Sequence, residues 1–160
     1  MIPVLITTGK NPSRVSRAIA LAFGIAVPES RVEFRGKRTL SSLITRAQKL
    51  HFTRLCAIHS ESGKPSHIRF MEIADDGEWG WLSPAISITS AKPAGRMPKK
   101  TAQSSRLSIS GAKAKVLSRL LSPRNSQDEE AGSKITAGAR ALSISVGKKK
   151  ILSLGVSYEK

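Results

Sequence analysis

Leu5-Ile6-Thr7-Thr8-Gly9-Lys10-Asn11-Pro12-Ser13-Arg14 carries an apolar strand through a polar turn into a helix whose first turn is basic. Ile2 to Ile6 is almost wholly apolar, the pattern of a strand covered on both faces, as in a sheet flanked by helices. Beyond the turn, Val15, Ala18, Ile19, Ala22 and Phe23 recur at helical spacing and define a buried stripe, with Arg14 and Arg17 off it. Asn11 is read as the N-cap and Pro12 as the first helical residue. That places Lys10 and Arg14 beside backbone N–H groups that already carry partial positive charge. Cations are unfavourable there unless an anion joins them, and a phosphate would draw amides, dipole and basic side chains onto one ligand. The same residues also suit an ordinary solvated helix start.

Charge points the same way. Lysine and arginine number 27 against 11 acidic residues, a formal net charge of +16 over 160 residues, with a pI of about 10.9. Such self-repulsion opposes folding and suggests a polyanionic partner, nucleic acid first and an anionic membrane surface second. The length fits one domain that buries a core without disulfides or metals. No run approaches the roughly 20 apolar residues of a spanning helix, and residues 1–20 lack the pattern of a signal peptide. The chain is therefore expected inside the cell and off the membrane. Cys56 is the only cysteine, so no internal disulfide forms. On a strand over Thr53–His59 it reads as a small buried hydrophobe, on the face opposite His59. His51 and His67 are isolated, and no metal site is predicted.

The rest of the chain continues the alternation of strands and helices. Val32–Arg35 reads as a short strand, and Arg35-Gly36-Lys37-Arg38 turns into a second helix with Leu40, Leu43, Ile44, Ala47 and Leu50 inward. Again a basic turn precedes a helix. Strands are predicted at Thr53–Ser60 and His67–Ile73 around a loop at Glu61–Ser66, and at Pro84–Thr89. Ala91–Gln103 reads as a loop, Ser110 as the cap of a third helix ended by Pro123, and Arg124–Ser133 as a mobile surface loop. Lys115 and Arg119 point outward from that helix, while Val116, Leu117, Leu120 and Leu121 face in. No acidic residue falls between Trp79 and Gln127, so the positive charge is concentrated there. Finally, Leu142, Ile144 and Val146, then Leu152, Leu154, Val156 and Tyr158, alternate with serine or glycine. This period of two marks an antiparallel hairpin with Lys148, Lys149 and Lys150 at its tip.

No catalytic constellation emerges. Gly9-Lys10 has the setting of a phosphate loop, but Val4 stands where the Walker pattern needs glycine and Asn11 where it needs Ser or Thr. Asp75-Asp76 before Gly77 reads as a turn, and the serines have no partnered histidine. No enzyme activity and no cofactor are predicted. Trp79 and Trp81 could stack on bases, but such a pair more often covers the edge of a core, and that reading is favoured. The candidate anion-binding residues are Lys10, Asn11, Ser13, Arg14 and Arg17 at the first junction, Arg35, Lys37 and Arg38 at the second, and Lys148, Lys149 and Lys150 at the hairpin tip.

Several spaced motifs, in order, make the chain resemble the Brix domain. The family pattern of Ile-Thr-Thr, a polar pair, Asn/Asp-Pro-Ser and spaced arginines is matched by Ile6-Thr7-Thr8, Asn11-Pro12-Ser13 and Arg17. Its Arg-Gly-Lys before a helix is matched by Arg35-Gly36-Lys37, and its Thr-x-Leu strand and Glu-x-x-Gly-x-Pro turn by Thr53, Leu55, Glu61, Gly63 and Pro65. The chain departs from the family at Gly77-Glu78-Trp79-Gly80-Trp81-Leu82, where members usually carry Gly-Pro-Thr. The resemblance covers nearly the whole chain and is to the short archaeal, Imp-type pre-rRNA processing factors. It implies an α/β fold, a single Brix domain over residues 1–160 built of two similar α/β halves dividing near residue 80. Each half would resemble the anticodon-binding domain of class II aminoacyl-tRNA synthetases. It further implies a monomeric ribosome biogenesis factor that binds rRNA precursor, or a guide RNA paired with it, alongside other assembly proteins. The location would be the cytoplasm of an archaeal cell, or the nucleolus of a eukaryotic one. A structural ribosomal protein and an RNA-modifying enzyme are the competing readings. The short termini, read as joining strands, favour a transient factor over a ribosomal protein.

Overall fold

The structure, a computed structural model, describes residues 4–93, 107–121 and 132–159. The elements run β1 (Val4–Thr8), α1 (Arg14–Ala26), β2 (Arg31–Val32), α2 (Leu40–Lys49), β3 (Arg54–Glu61), β4 (Lys64–Ile73) and β5 (Trp79–Pro93). They continue with β6 (Leu107–Ser110), α3 (Ala114–Leu121), β7 (Ser133–Ala137), β8 (Ala141–Val146) and β9 (Lys149–Tyr158). The strands form one sheet in the order β2-β1-β3-β4-β5-β9-β8-β7-β6.

That order reads alike from both sides toward its middle. β1 lies parallel to β3, and β3, β4 and β5 follow as antiparallel neighbours. Likewise β6 lies parallel to β7, and β7, β8 and β9 follow antiparallel. The two sets meet where β5 pairs antiparallel with β9, from Ile86 opposite Tyr158 to Pro93 opposite Leu152. α1 and α3 each follow the first strand of their set, as a parallel pair requires a crossover. Residue 80, the division expected from the sequence, lies inside β5.

α1 and α3 share one face of the sheet and one core. Ile19, Phe23, Ile58, Phe70 and Ile86 belong to it together with Leu117, Leu120, Ile135, Ile144 and Leu154. α1 reaches across the seam, where the Ser133 hydroxyl donates to the Ala26 carbonyl at 2.6 Å. α2 covers the opposite face and holds a second core of Leu43, Ile44 and Ala47 against Leu5, Leu55, Met71 and Ile73. This explains why β1 is buried at every position while β7 alternates strictly. Over β6 to β9 that second face carries no helix among the described residues.

Several local expectations are corrected. The N-cap of α1 is Ser13, whose hydroxyl accepts from the Ser16 amide. Asn11 instead takes a left-handed φ of 51°, a conformation that asparagine tolerates and that suits a residue barred from the helical region by the proline after it. The second strand is only Arg31–Val32, because Glu33 onward is drawn into an arginine cluster. The expected loop at Glu61–Ser66 contracts to Ser62-Gly63, both at positive φ, which is the two-residue hairpin turn matched to strand twist. β5 extends to 15 residues, from Trp79 through Pro93. Ser110 ends β6 and α3 starts at Ala114, so Ser110 is not its cap. β7 begins at Ser133, within the span expected to be a loop. Residues 94–103 of the loop expected at Ala91–Gln103, Pro123, and residues 124–131 of the loop expected at Arg124–Ser133 lie outside the described residues. The second helix, with Leu43, Ile44 and Ala47 buried, and the terminal hairpin are as expected.

Candidate nucleic-acid interface

At the first junction the strand hands the chain to α1 through residues 9–13. Gly9 donates to the Ile58 carbonyl at 3.0 Å and so still belongs to the sheet. Ser13 then caps the helix, and Ser16 joins α1 to the end of β3 through the Ser60 hydroxyl at 2.6 Å. The amides of Arg14 and Val15 have no intrahelical acceptor at this end of α1, and the first turn holds no acidic side chain. Lys10, Asn11, Arg14 and Arg17 are exposed around it.

The second junction is built in the same way. Thr39 caps α2 by accepting from the Ser42 amide at 3.1 Å, and again the first turn has no acid. The basic residues ahead of it differ in role. Glu33 binds Arg31 at 2.8 Å, Arg46 at 2.5 Å and Arg38 at 3.3 Å. Its hydrogen bond from Arg46 leads the effects that hold the carboxyl below its ordinary range, against the opposing cost of burial. Arg38 also donates to the Phe34 carbonyl, and Arg35 to the Arg38 carbonyl. Arg38 and Arg35 therefore hold the loop, whereas Lys37 is exposed and unpaired among the described residues.

The two junctions lie side by side because β1 is parallel to both β2 and β3, so all three strands end at one edge. The Glu33 amide extends this pairing to the Ile6 carbonyl. Across the gap, the Arg17 guanidinium stands 6.0 Å from the Phe34 ring centroid. Two helix N-termini and their lysines and arginines thus share the carboxyl end of the parallel strands, where ligands of open α/β sheets commonly bind. Lys148, Lys149 and Lys150 are not part of this cluster. The β8–β9 turn sits at the same end of the sheet, but β9 is four strand positions from β1, about 19 Å at the usual strand spacing.

Other groups beside the junction were not foreseen. His59 stacks on His67 with centroids 4.7 Å apart, and Arg69 lies 4.3 Å over the Trp81 ring. Burial lowers the His59 pKa to about 4, helped by the charges of His67, Arg69 and Arg35. Trp81 packs against the α2 core, as expected of a core cover, while Trp79 is 47% exposed. The cross-strand placement of His59 opposite His67 needed the hairpin register, which the contraction of the loop alters. Cys56 is buried on the other face, and burial raises its thiol pKa. Asp76 accepts from the Glu78 amide within the β4–β5 turn. No cluster of metal-ligating side chains occurs among the described residues, and none of their helices is long and apolar enough to cross a membrane.

No protein-family model matches the chain. Among curated proteins it is 32% identical over 79 residues to the "Probable Brix domain-containing ribosomal biogenesis protein" of Pyrococcus abyssi, and 30% identical over 79 residues to the protein of that name from Thermococcus kodakarensis. These matches span 49% of this chain and only 35% and 38% of those relatives. Two solved structures share its fold. A probable ribosomal biogenesis protein from Aeropyrum pernix K1 superposes with a TM-score of 0.74 at 16% identity, over 98% of this chain and 96% of that one. Mil, an archaeal Imp4-like protein, gives 0.66 at 15% identity, over 97% and 98%. The chain is thus similar in sequence, over about half its length, to archaeal proteins named for the Brix domain, and over nearly all of its length it shares the fold of the two solved archaeal structures.

Proposed function

We propose that this chain is an RNA-binding ribosome biogenesis factor, acting in pre-rRNA processing and subunit assembly without catalytic activity of its own. The observation that carries the reading is the convergence of two acid-free helix N-termini with Lys10, Arg14, Arg17 and Lys37 at one sheet edge. Phosphates would be held by those side chains and by open helix amides, and released counterions would make affinity strongly salt-dependent. Aromatics are only 4% of the chain, and one face of Trp81 is taken by Arg69, so shape outweighs base stacking. The ligand is then a structured RNA, either rRNA precursor or precursor paired with a guide RNA. The chain acts as a monomer in the archaeal cytoplasm, in company with other assembly proteins. Its two halves divide after β5, each built like the anticodon-binding domain of class II aminoacyl-tRNA synthetases. The net charge of +16 and the names of its relatives support this reading. Sedimentation of cell extract tests it: the protein should travel with precursor particles and be missing from mature subunits. Stoichiometric presence in mature subunits would make it a ribosomal protein instead.

A further inference from the structure

Beyond α2, no described element covers the second face of the sheet across the β6–β9 set. Register places its side chains in rows. Lys92, Ser153, Ser143, Thr136 and Ser110 face one another on five adjacent strands, β5-β9-β8-β7-β6. Beside them runs a second row of Ser108, Lys134, Ser145 and Lys150. Neither row contains a carboxylate or an apolar side chain. The intervening residues, Leu142, Ile144, Leu154 and Val156 among them, all point into the core. A third row, His59, His67, Ser87 and Ser157, links this face to the first junction, because His59 lies beside Gly9; here the Ser87 hydroxyl donates to the Glu159 carboxylate, so the hydroxyl-and-ammonium pattern belongs to the first two rows.

This surface lacks what a docking helix needs. α2 holds its face through Leu5, Leu55, Met71 and Ile73, and nothing comparable stands on the open rows. What the rows offer instead is a carpet of hydroxyls, able to donate and accept, punctuated by ammonium groups, with Lys134 and Lys150 two strand positions, or about 10 Å, apart across Ser145. A ribose-phosphate backbone presents the complementary set: anionic oxygens for the lysines and 2′-hydroxyls for Ser and Thr. We propose that this serine-rich sheet face is a second RNA-binding surface, taking the sugar-phosphate backbone of the RNA whose phosphates meet the helix junctions. This rests on the RNA-binding reading of the junctions, which it extends from a sheet edge to a sheet face.

Two face variants test it, Ser143→Glu with Ser153→Glu, and Lys92→Ala with Lys134→Ala, beside the junction variant Arg14→Ala with Lys37→Ala. Affinity is read by fluorescence anisotropy on an RNA duplex and on the DNA duplex of the same sequence, with thermal melting as the fold control. Both face variants should keep the parental fold, the glutamate variant melting somewhat lower because Ser143 and Ser153 are opposed across β8 and β9, and both should bind RNA about tenfold more weakly, with the lysine variant losing up to about two units of salt slope. The glutamate variant should also narrow the preference for RNA over DNA. Parental RNA affinity in both face variants overturns the proposal, and a loss confined to the junction variant then leaves the junctions as the sole RNA site. Loss in the face variants alone upholds the face and overturns the junction assignment. Absence of RNA binding by the parent overturns both. Unchanged RNA affinity with loss of an assembly protein in co-purification assigns the face to protein and likewise overturns it.

Discussion

The two strand sets that meet at β5 and β9 have the same succession of strands but different surroundings. On the β1–β5 side, helices lie on both faces, so β1 and the centre of β3 are apolar throughout. On the β6–β9 side the described residues cover only one face, and the strands alternate. The difference traces to one insertion in the pattern: β2 and α2 stand between α1 and β3, whereas α3 leads to β7 with no described counterpart. That extra unit supplies the second core. It also supplies the second helix N-terminus of the candidate interface, so one feature makes the β1–β5 side both more deeply packed and more concentrated in positive groups at its edge.

The comparison breaks down if the cores are not distributed in this way. Phe70→Ala removes a fully buried ring from the core common to both sets and should cost about 4 kcal/mol. Chemical denaturation should show one transition at lower denaturant, with amide protection lost on both sides of the seam. Leu43→Ala, in the core under α2, should cost about 3 kcal/mol, and hydrogen exchange should accelerate in β1, β3 and β4 far more than in β7 and β8. Equal acceleration in all of them would erase the distinction.

A pH titration sharpens it further. His59 is held neutral in the fold, with its pKa near 4, while an unfolded chain takes up that proton below about 6.5. Stability is therefore intact above that value and falls as pH drops from about 6.5 toward 4. Solvent screening keeps the loss on the order of 1 kcal/mol, and His59→Gln should flatten the slope in that window. The smallest effect belongs to the open face, where Ser143→Val should change stability by no more than about 0.5 kcal/mol.

Much of this was legible in the residues because periodicity reports burial. The unbroken apolar run at Val4–Ile6, the stripe from Val15 to Phe23 and the alternation from Leu142 to Tyr158 each identify an element and its covered face. β6 and β7 escaped because four or five residues beside Gly and Ser carry too short a pattern, and their partners lie far along the chain. At the site, the basic residues were visible but their division of labour was not. Arg38 and Lys37 are adjacent and alike in sequence, yet only Arg38 is bound by Glu33, a distinction set by how the loop folds back against α2. The cap moved from Asn11 to Ser13 because two polar residues flank Pro12, and the backbone decides between them.

The shared junction edge is the proposed place where RNA phosphates bind. Its most direct test is a salt titration of RNA affinity for the parent chain and for Arg14→Ala with Lys37→Ala, two exposed substitutions outside both cores. The double variant should bind a structured RNA more weakly at low salt, with a slope of log affinity against log salt shallower by about two and an unchanged melting temperature. Equal affinity and equal slope at low salt would contradict the assignment.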